Sequence, residues 1–369
     1  MDELFGLIKR QFKNFLIFRA YSITSLFKEL FLFPRDMLSN SGKSSSVLNI
    51  ALFVTMRCNA KCAMCNITGV LNDRKMPDIP IEKIEKLLDE VKHYKPSIIL
   101  FGGEPFVRPD IVDIVKAVKR RGLAVGMFTN GTLLNDEIVD ALIKAKLDYI
   151  AFSLQGSKEV HDKVLSVPGA YEKMVGAIRL FTKEPNRHTK VVIHSTVCEY
   201  NATDLRNIVN LGEELGVDLV RFGHPTFYSA EEGAICTKAL KDLFKDSADI
   251  KAMSYIYDIK GKEGFYEKNI KALKDEFGDK VSFTPELGED ELKSWYSANF
   301  KSNRRCLFVW RGLFIHPNGD AYPCESIAHK MGNVFEEGFS GVWNGPKYRE
   351  FRKTLKKGLI PACARCCKL

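Results

Sequence analysis

Short apolar runs alternate with amphipathic segments from residue 47 onward. The runs are rich in Val, Ile or Phe and are bounded by turn residues, which is typical of buried strands. Six strands are predicted: Val47–Thr55, Ser97–Phe101, Ala124–Phe128, Tyr149–Ser153, Val191–Val197 and Leu219–Phe222. The intervening segments repeat their apolar residues at helical spacing. They predict five helices: Ile81–His93, Asp110–Arg121, Asp136–Ala145, Ala170–Thr182 and Ala202–Leu215.

This alternation predicts an α/β fold with a parallel sheet and right-handed crossovers. Six strands are too few to close the usual eight-stranded barrel, so residues 47–228 are expected to form an open (β/α)6 partial barrel. Its active site would lie at the carboxyl ends of the strands. Residues 229–305 are less regular and are interpreted as a connector that covers the barrel mouth, and residues 306–369 as a small C-terminal domain.

The first 40 residues form a distinct segment in which phenylalanines alternate with basic residues. Charges interrupt it too often for a transmembrane helix. One interpretation is a pair of basic amphipathic helices that lie on an anionic membrane surface. The alternative is that these helices pack against the following domain. Ser41–Ser46 is the predicted linker to that domain.

Composition and charge narrow the function classes. The chain is 45% hydrophobic and 27% charged, which is ordinary for a globular protein. Its formal charge of +9 is scattered, so phosphates or anionic lipids are possible partners, whereas nucleic acid is not expected. Eight of the ten cysteines fall in two groups near the ends of the chain. In a chain of this length without a signal peptide, such grouping indicates metal or iron–sulfur ligands in a reducing cytoplasm.

The first cysteine group is a CxxxCxxC loop, formed by Cys58, Cys62 and Cys65 directly after the first strand. Three thiolates at these spacings can surround one face of an iron–sulfur cubane and leave the fourth iron open. An open iron can chelate a small molecule, which favours a catalytic cluster over one dedicated to electron transfer. A zinc site completed by a distant ligand is the alternative.

Polar residues follow the next three strands. Gly102 and Gly103 allow a close backbone approach, and Glu104 can accept hydrogen bonds from an ammonium group. The third and fourth strands end in Thr-Asn-Gly and Ser-Leu-Gln-Gly, which contain Asn130, Ser153 and Gln155. Ordinary turn chemistry is the alternative for each of these segments.

Together these motifs resemble the radical S-adenosylmethionine (SAM) superfamily, and the resemblance runs from about residue 47 to the C-terminus. It implies a [4Fe–4S] cluster on the CxxxCxxC loop, whose open iron binds SAM. When reduced by an external donor such as flavodoxin or ferredoxin, the cluster would cleave SAM to methionine and a 5′-deoxyadenosyl radical that abstracts hydrogen. The implied SAM-binding residues are Met64, Gly102, Gly103, Glu104, Asn130, Ser153 and Gln155.

The second cysteine group begins with Cys306 and Cys324, which flank a predicted hairpin, and ends with the CxxC pair Cys363 and Cys366. Four thiolates can fill one closed site, and a structural zinc ion held by the same four cysteines is the alternative. The spacing resembles the twitch domain, a short form of the SPASM domain, and implies one auxiliary [4Fe–4S] cluster. Cys367 is a spare residue that could replace Cys366 as a ligand.

The predicted function is therefore radical hydrogen abstraction from an organic substrate, with the auxiliary cluster transferring electrons. A lipid or lipid-linked substrate is favoured by the N-terminal segment, which would hold the enzyme at the inner membrane face. A peptide or a sugar such as an aminoglycoside would equally suit the architecture. The alternative outside the enzymes is a zinc-binding interaction protein without catalysis. An RNA-modifying radical enzyme is disfavoured, because the sequence shows no RNA-binding module or dense basic stripe.

Overall fold

The computed structural model describes residues 23–73, 76–184, 187–245, 247, 255–256, 263–297 and 300–369. All six predicted strands are present in the predicted order. They are β1 Asn49–Thr55, β2 Ser97–Gly102, β3 Ala124–Thr129, β4 Tyr149–Phe152, β5 Lys190–Thr196 and β6 Leu219–Gly223. The helices of this part are α1 Ile23–Leu38, α2 Ile81–Val91, α3 Ile111–Arg120, α4 Asp136–Lys144, α5 Lys158–Leu165, α6 Ala170–Thr182 and α7 Leu205–Glu214.

The sheet extends beyond the six predicted strands on both sides. Further strands are β7 Phe227–Tyr228, β8 Tyr255–Ile256, β9 Val281–Thr284, β10 Gly312–Ile315, β11 Asp320–Tyr322 and β12 Gly332–Asn333. Ten of the described strands form one open sheet in the order β12-β11-β10-β1-β2-β3-β4-β5-β6-β9, while β7 pairs with β8. Strand β10 runs parallel to β1, with Gly312 beside Asn49, so the C-terminal segment continues the barrel sheet.

Six more helices follow β7 in the described part of the chain. They are α8 Ala230–Leu243, α9 Glu263–Phe277, α10 Glu289–Trp295, α11 Val334–Glu337, α12 Phe339–Trp343 and α13 Pro346–Lys357. The region predicted as a connector therefore supplies α8, α9 and α10 and the edge strand β9, which runs parallel to β6.

Alternate residues of each strand have different environments, because successive side chains point to opposite faces of a sheet. On β1, Ile50 and Leu52 belong to the large core beneath the helices, whereas Phe53 lines the barrel interior. The same alternation on β5 buries Ile193 in that core and directs His194 into the interior. The residues that line the cavity lie on the interior face of the sheet.

The end of α1 packs against the body of the protein. Phe33 is buried, with its ring centroid 4.8 Å from the Arg311 guanidinium carbon. Arg311 also donates to Asp36 (3.1 Å). Phe31 and Leu38, by contrast, are 78% and 80% exposed. The end of α1 therefore packs against the following domain, as one of the two predicted interpretations expects, whereas residues 1–22 lie outside the described residues.

No helix in the described part of the chain combines the length and apolar character needed to cross a membrane.

Candidate active site

The CxxxCxxC loop is fixed to its neighbours by backbone hydrogen bonds. The amides of Lys61 and Ala63 donate to the carbonyls of Leu165 and Val164 at the end of α5 (3.1 and 2.9 Å). The Ala60 amide lies 3.4 Å from the Cys58 sulfur and donates to it. Amide donors of this kind stabilise a thiolate and tune a cluster bound to it.

The two glycines after β2 allow the strand end to contact this loop. A Cβ atom on Gly102 would lie 2.6 Å from the Thr55 carbonyl oxygen, and one on Gly103 would lie 2.3 Å from that of Arg57. Both distances are too short for a non-bonded contact. The amides of Gly103 and Glu104 instead donate to these same carbonyls (3.1 and 2.9 Å). Glycine is therefore required here by close packing between strand ends.

Glu104 is a buried carboxylate at the centre of the strand ends. Oε1 accepts from the Phe106 amide (3.1 Å) and the Thr129 hydroxyl (2.8 Å), and Oε2 accepts from the Asn130 amide (2.7 Å). Burial raises the pKa of Glu104 to about 7, although these three donors oppose the shift. Each carboxylate oxygen can accept two hydrogen bonds, so Oε2 has capacity for one more donor.

The other predicted SAM-binding residues also line the cavity described below. Asn130 donates to the Asn59 side chain in the cysteine loop (2.9 Å). Gln155 is buried, and its Oε1 accepts weak hydrogen bonds from groups at the end of β5 and from Asn201 (3.3–3.4 Å). The hydrogen bonds of Gln155 thus brace neighbouring strand ends. Met64 packs beside Leu165.

One cavity of about 400 Å³ joins the two cysteine regions. It is lined at one side by Cys58, Cys62 and Cys65 with Gly102–Glu104, and elsewhere by Cys367 and Lys368 from the C-terminal loop. It lies at the carboxyl ends of the strands, as the sequence predicts. Phe53, Phe101 and Phe128 form an aromatic wall, with ring centroids 5.8 and 4.8 Å apart in succession.

The C-terminal cysteines come from three segments of the chain. Cys306 precedes β10, Cys324 follows β11, and Cys363 and Cys366 lie in the last loop. Cys363 and Cys366 are buried, and the Lys368 amide donates to the Cys366 sulfur (3.4 Å).

Arg365 anchors the last loop between these two cysteines. It is almost fully buried and donates to the carbonyl of Trp295 (2.8 Å) and to the Glu232 carboxylate (3.0 Å). The Tyr228 hydroxyl donates to the Ala362 carbonyl in the same loop (2.6 Å). The position of the CxxC pair is thus held by α8, α10 and β7.

In the described part of the chain no three Cys, His, Asp or Glu side chains are arranged closely enough to hold a metal ion. The chemistry of the two cysteine groups nevertheless suits a positively charged metal core. Burial raises the pKa of Cys62 to about 12, and Cys65 and Cys58 add to the effect as neighbouring thiols. Burial also raises the pKa of Cys363 well above its usual value, with Cys306 and Cys324 contributing. Thiols must lose their protons to bind metal, and a cationic iron core would compensate for both burial and mutual repulsion.

Several cavity residues were missed by sequence reasoning. They are His194, Arg221, His224, Tyr266, Tyr296 and Lys368. His194 and Arg221 carry a signal, because each polar side chain directly follows the apolar run of its strand, Val191–Ile193 and Leu219–Val220. His224 donates to or accepts from the Tyr296 hydroxyl (2.9 Å). The sequence offers no comparable signal for Tyr266 or Tyr296, which come from outside the six strands.

Comparison with protein families matches two parts of the chain. Residues 52–212 match the radical SAM superfamily. Residues 306–367 match the SPASM iron–sulfur cluster-binding domain. The two matches contain the first and second cysteine groups, respectively.

Curated relatives are similar over most of their length. An AdoMet-dependent heme synthase of Methanosarcina barkeri is 27% identical over 82% of this chain and 84% of its own. The PqqA peptide cyclase of Gluconobacter oxydans is 24% identical over 88% of this chain and 83% of its own.

Among solved structures, Streptococcus suis SuiB bound to its precursor peptide SuiA superposes with a TM-score of 0.63 and 17% identity, covering 89% of this chain and 70% of SuiB. The AdoMet-bound enzyme anSMEcpe gives 0.59 and 18% identity, covering 83% of this chain and 79% of its own. At these identities the structures support the fold alone. The two family matches, which contain the two cysteine groups, identify this chain as a radical SAM enzyme with a SPASM-type auxiliary iron–sulfur domain.

Proposed function

We propose that this enzyme abstracts a hydrogen atom from an organic substrate held between its two cysteine regions. The supporting observation is the single cavity that contacts Cys58, Cys62, Cys65 and Glu104 as well as the C-terminal loop. Residues 47–228 would form the SAM-binding barrel and residues 306–369 the auxiliary-cluster domain. When bound, the [4Fe–4S] cluster and SAM supply the 5′-deoxyadenosyl radical, with electrons from a flavodoxin- or ferredoxin-type donor.

The side chains around the first cluster have distinct proposed roles. Cys58, Cys62 and Cys65 ligate iron, and Glu104 accepts a hydrogen bond from the SAM amino group through Oε2. Gly102 and Gly103 keep the end of β2 in contact with the cysteine loop. The aromatic wall and the buried strand ends exclude water from the site where a carbon radical would form, which prevents its quenching by side reactions.

The remaining proposed SAM contacts lie around the adenosine. Met64 would contact the adenine, while Asn130, Ser153 and Gln155 line the cavity beside the proposed ribose and carboxylate positions. Because Gln155 and Asn130 already bond to protein groups, their proposed effect includes holding the strand ends in register.

Cys306, Cys324, Cys363 and Cys366 are the proposed ligands of an auxiliary [4Fe–4S] cluster. Cys367 lines the same cavity as the CxxxCxxC loop, whereas Cys366 is buried. Full ligation by protein would prevent this cluster from binding substrate, so we assign it electron transfer to or from the substrate radical.

Exchange of either neighbouring cysteine tests which one is the ligand. Cys366→Ala is expected to lose the auxiliary cluster, lowering iron content by about half, because a cubane with four protein thiolates loses one of its ligands. Cys367→Ala is expected to retain both clusters. Iron analysis and electron paramagnetic resonance of the reduced proteins measure this difference. The reverse pattern would make Cys367 the ligand.

The class of substrate is open to a direct test. The relatives include a heme synthase and a peptide cyclase, and SuiB is bound to a peptide. Fully deuterated cell extract, separated into lipid, peptide and polar pools, is incubated anaerobically with reduced enzyme and unlabelled SAM. Deuterium in 5′-deoxyadenosine from one pool identifies the class, and no deuterium from any pool contradicts hydrogen abstraction.

We propose a peripheral membrane contact through the N-terminal segment as a second feature. Its support is the exposure of Phe31 and Leu38 on α1, near the exposed Arg35. A Phe31→Ser/Leu38→Ser protein should bind vesicles containing anionic lipid more weakly than wild type, because apolar insertion is lost. Co-sedimentation of both proteins measures this, with purely zwitterionic vesicles as control. Equal binding to anionic vesicles would remove the proposal and with it the argument for a lipid substrate.

A further inference from the structure

Two nitrogen-bearing side chains, His194 and Arg221, project into the cavity from neighbouring strands. His194 on β5 and Arg221 on β6 are direct partners in the parallel register. Partners in register project from the same face of a sheet, and both side chains line the cavity. Each is polar in a strand whose other residues near it, such as Ile193 and Phe222, are buried in the core.

The ammonium group of Lys368 lies in the same cavity and comes from the C-terminal loop. Lys368 follows the CxxCC sequence in this loop. Its ammonium nitrogen lies 5.6 Å from the ring centroid of Phe308 and 5.8 Å from that of Phe314. Burial lowers the pKa of His194 to about 3, and the positive charges of Arg221 and Lys368 contribute to the shift. The His194 imidazole is therefore neutral at physiological pH, and Arg221 and Lys368 lie close enough to influence its titration.

The acidic groups of the cavity are Glu104, Glu199 and Glu325. Glu104 already accepts three hydrogen bonds and is the proposed partner of the SAM amino group. Glu325 accepts from the Asn66 side chain (3.1 Å). His194 and Arg221 lie side by side in the register of β5 and β6, and Lys368 reaches the same cavity from the last loop.

An aromatic surface lies beside His194 and Arg221. The His194 ring packs edge-on against Phe128, with centroids 5.4 Å apart, and Phe128 stacks on Phe101. The cavity thus offers flat aromatic contacts beside cationic and neutral nitrogen donors. A ligand that complements both would have an apolar body and an acidic group, because carboxylates and phosphates pair with guanidinium in fixed geometry.

We propose that His194, Arg221 and Lys368 bind a carboxylate or phosphate of the substrate, while the wall of Phe53, Phe101 and Phe128 contacts its apolar part. This assignment rests on the proposed function, because it places the acidic group relative to the radical formed at the CxxxCxxC loop. It makes Arg221 a specificity-determining residue for the substrate and gives it no part in holding SAM.

The test separates deuterated cell extract by charge. The extract is passed over a strong anion exchanger at neutral pH, and the retained and unretained pools are each incubated with reduced enzyme and SAM. Deuterium in 5′-deoxyadenosine is expected from the retained pool. Prior methyl esterification should abolish the transfer if the group is a carboxylate, and prior phosphatase treatment if it is a phosphate. Transfer from the unretained pool alone would overturn the proposal.

Variants at Arg221 test the residue itself. Arg221→Gln is expected to lower deuterium transfer by about 10- to 100-fold, the effect of losing a hydrogen bond to a charged group. Arg221→Lys should recover part of it. Thermal unfolding of both variants shows that they fold, and SAM affinity, measured for each, is expected to change less than deuterium transfer. Arg179→Gln, at an exposed position of α6, is the matched control.

Two outcomes separate the inference from the function it rests on. Unchanged deuterium transfer in Arg221→Gln, or a loss of SAM affinity that matches the loss of transfer, would overturn the assignment of Arg221 while hydrogen abstraction stands. No deuterium from either pool with wild-type enzyme would contradict the proposed function, and the inference with it.

Discussion

A Cys62→Ala protein is expected to retain about half of the wild-type iron and to lose SAM cleavage completely. With two of three ligands remaining, the first cubane is no longer held, whereas the auxiliary site keeps all four of its proposed cysteines. Cys62 is also the thiol whose pKa is raised to about 12 by burial and by its neighbours, so it depends strongly on bound iron for its thiolate form. Iron analysis and 5′-deoxyadenosine production, both measured anaerobically, report the two effects separately.

Cys236→Ala is the matched control for this variant. Cys236 is buried in α8 and does not line the cavity, so its replacement should leave the SAM-binding cluster and SAM cleavage intact. If Cys62→Ala retained full iron and wild-type cleavage, Cys62 would not be a cluster ligand.

Glu104→Gln is expected to weaken SAM binding by about 10- to 100-fold, since the lost interaction joins two charged groups, about 1.5–3 kcal/mol. The substitution also places an amide NH2 among groups that donate to Glu104 at present, the hydroxyl of Thr129 and the amides of Phe106 and Asn130. At least one buried donor then lacks an acceptor. Equilibrium binding of SAM to the anaerobic protein measures the change.

The pH dependence of SAM affinity gives this prediction a second readout. Because burial raises the pKa of Glu104 to about 7, its carboxyl group is neutral below that pH and ionised above it. Wild-type affinity should therefore fall as the pH is lowered through 7, and Glu104→Gln should lack this dependence. Glu213→Gln, at an exposed position of α7, serves as control. Identical pH profiles for wild type and Glu104→Gln would exclude Glu104 as the SAM partner.

The sequence predicts the local elements of this fold more fully than their long-range pairing. The apolar runs that become β1 to β6 are bounded by turn residues, so both their existence and their order could be predicted. Helix α5 is harder to recognise, because Lys158–Leu165 contains several charged residues. The pairing of β10 with β1 depends on contacts across more than 250 residues, which no local pattern specifies.

In the candidate site, too, residues next to predicted strands could be predicted, whereas residues brought in by tertiary structure could not. Cys58, Cys62, Cys65 and Glu104 follow predicted strands, and the parallel topology alone brings them to one edge of the sheet. The hydrogen-bond partners of Gln155 could not be predicted from the sequence, because the end of β5 and Asn201 reach it only through tertiary structure. Tyr266 and Lys368 reach the cavity from α9 and from the last loop, where sequence spacing carries no information about the barrel interior.

The most direct test of radical SAM chemistry in this protein is SAM cleavage by the purified chain. The protein is reconstituted with iron and sulfide, reduced with dithionite under anaerobic conditions and incubated with SAM. The expected result is 5′-deoxyadenosine and methionine in equal amounts from wild type, and neither from a protein in which Cys58, Cys62 and Cys65 are replaced by alanine. A colourless protein that holds zinc and leaves SAM intact would contradict the account.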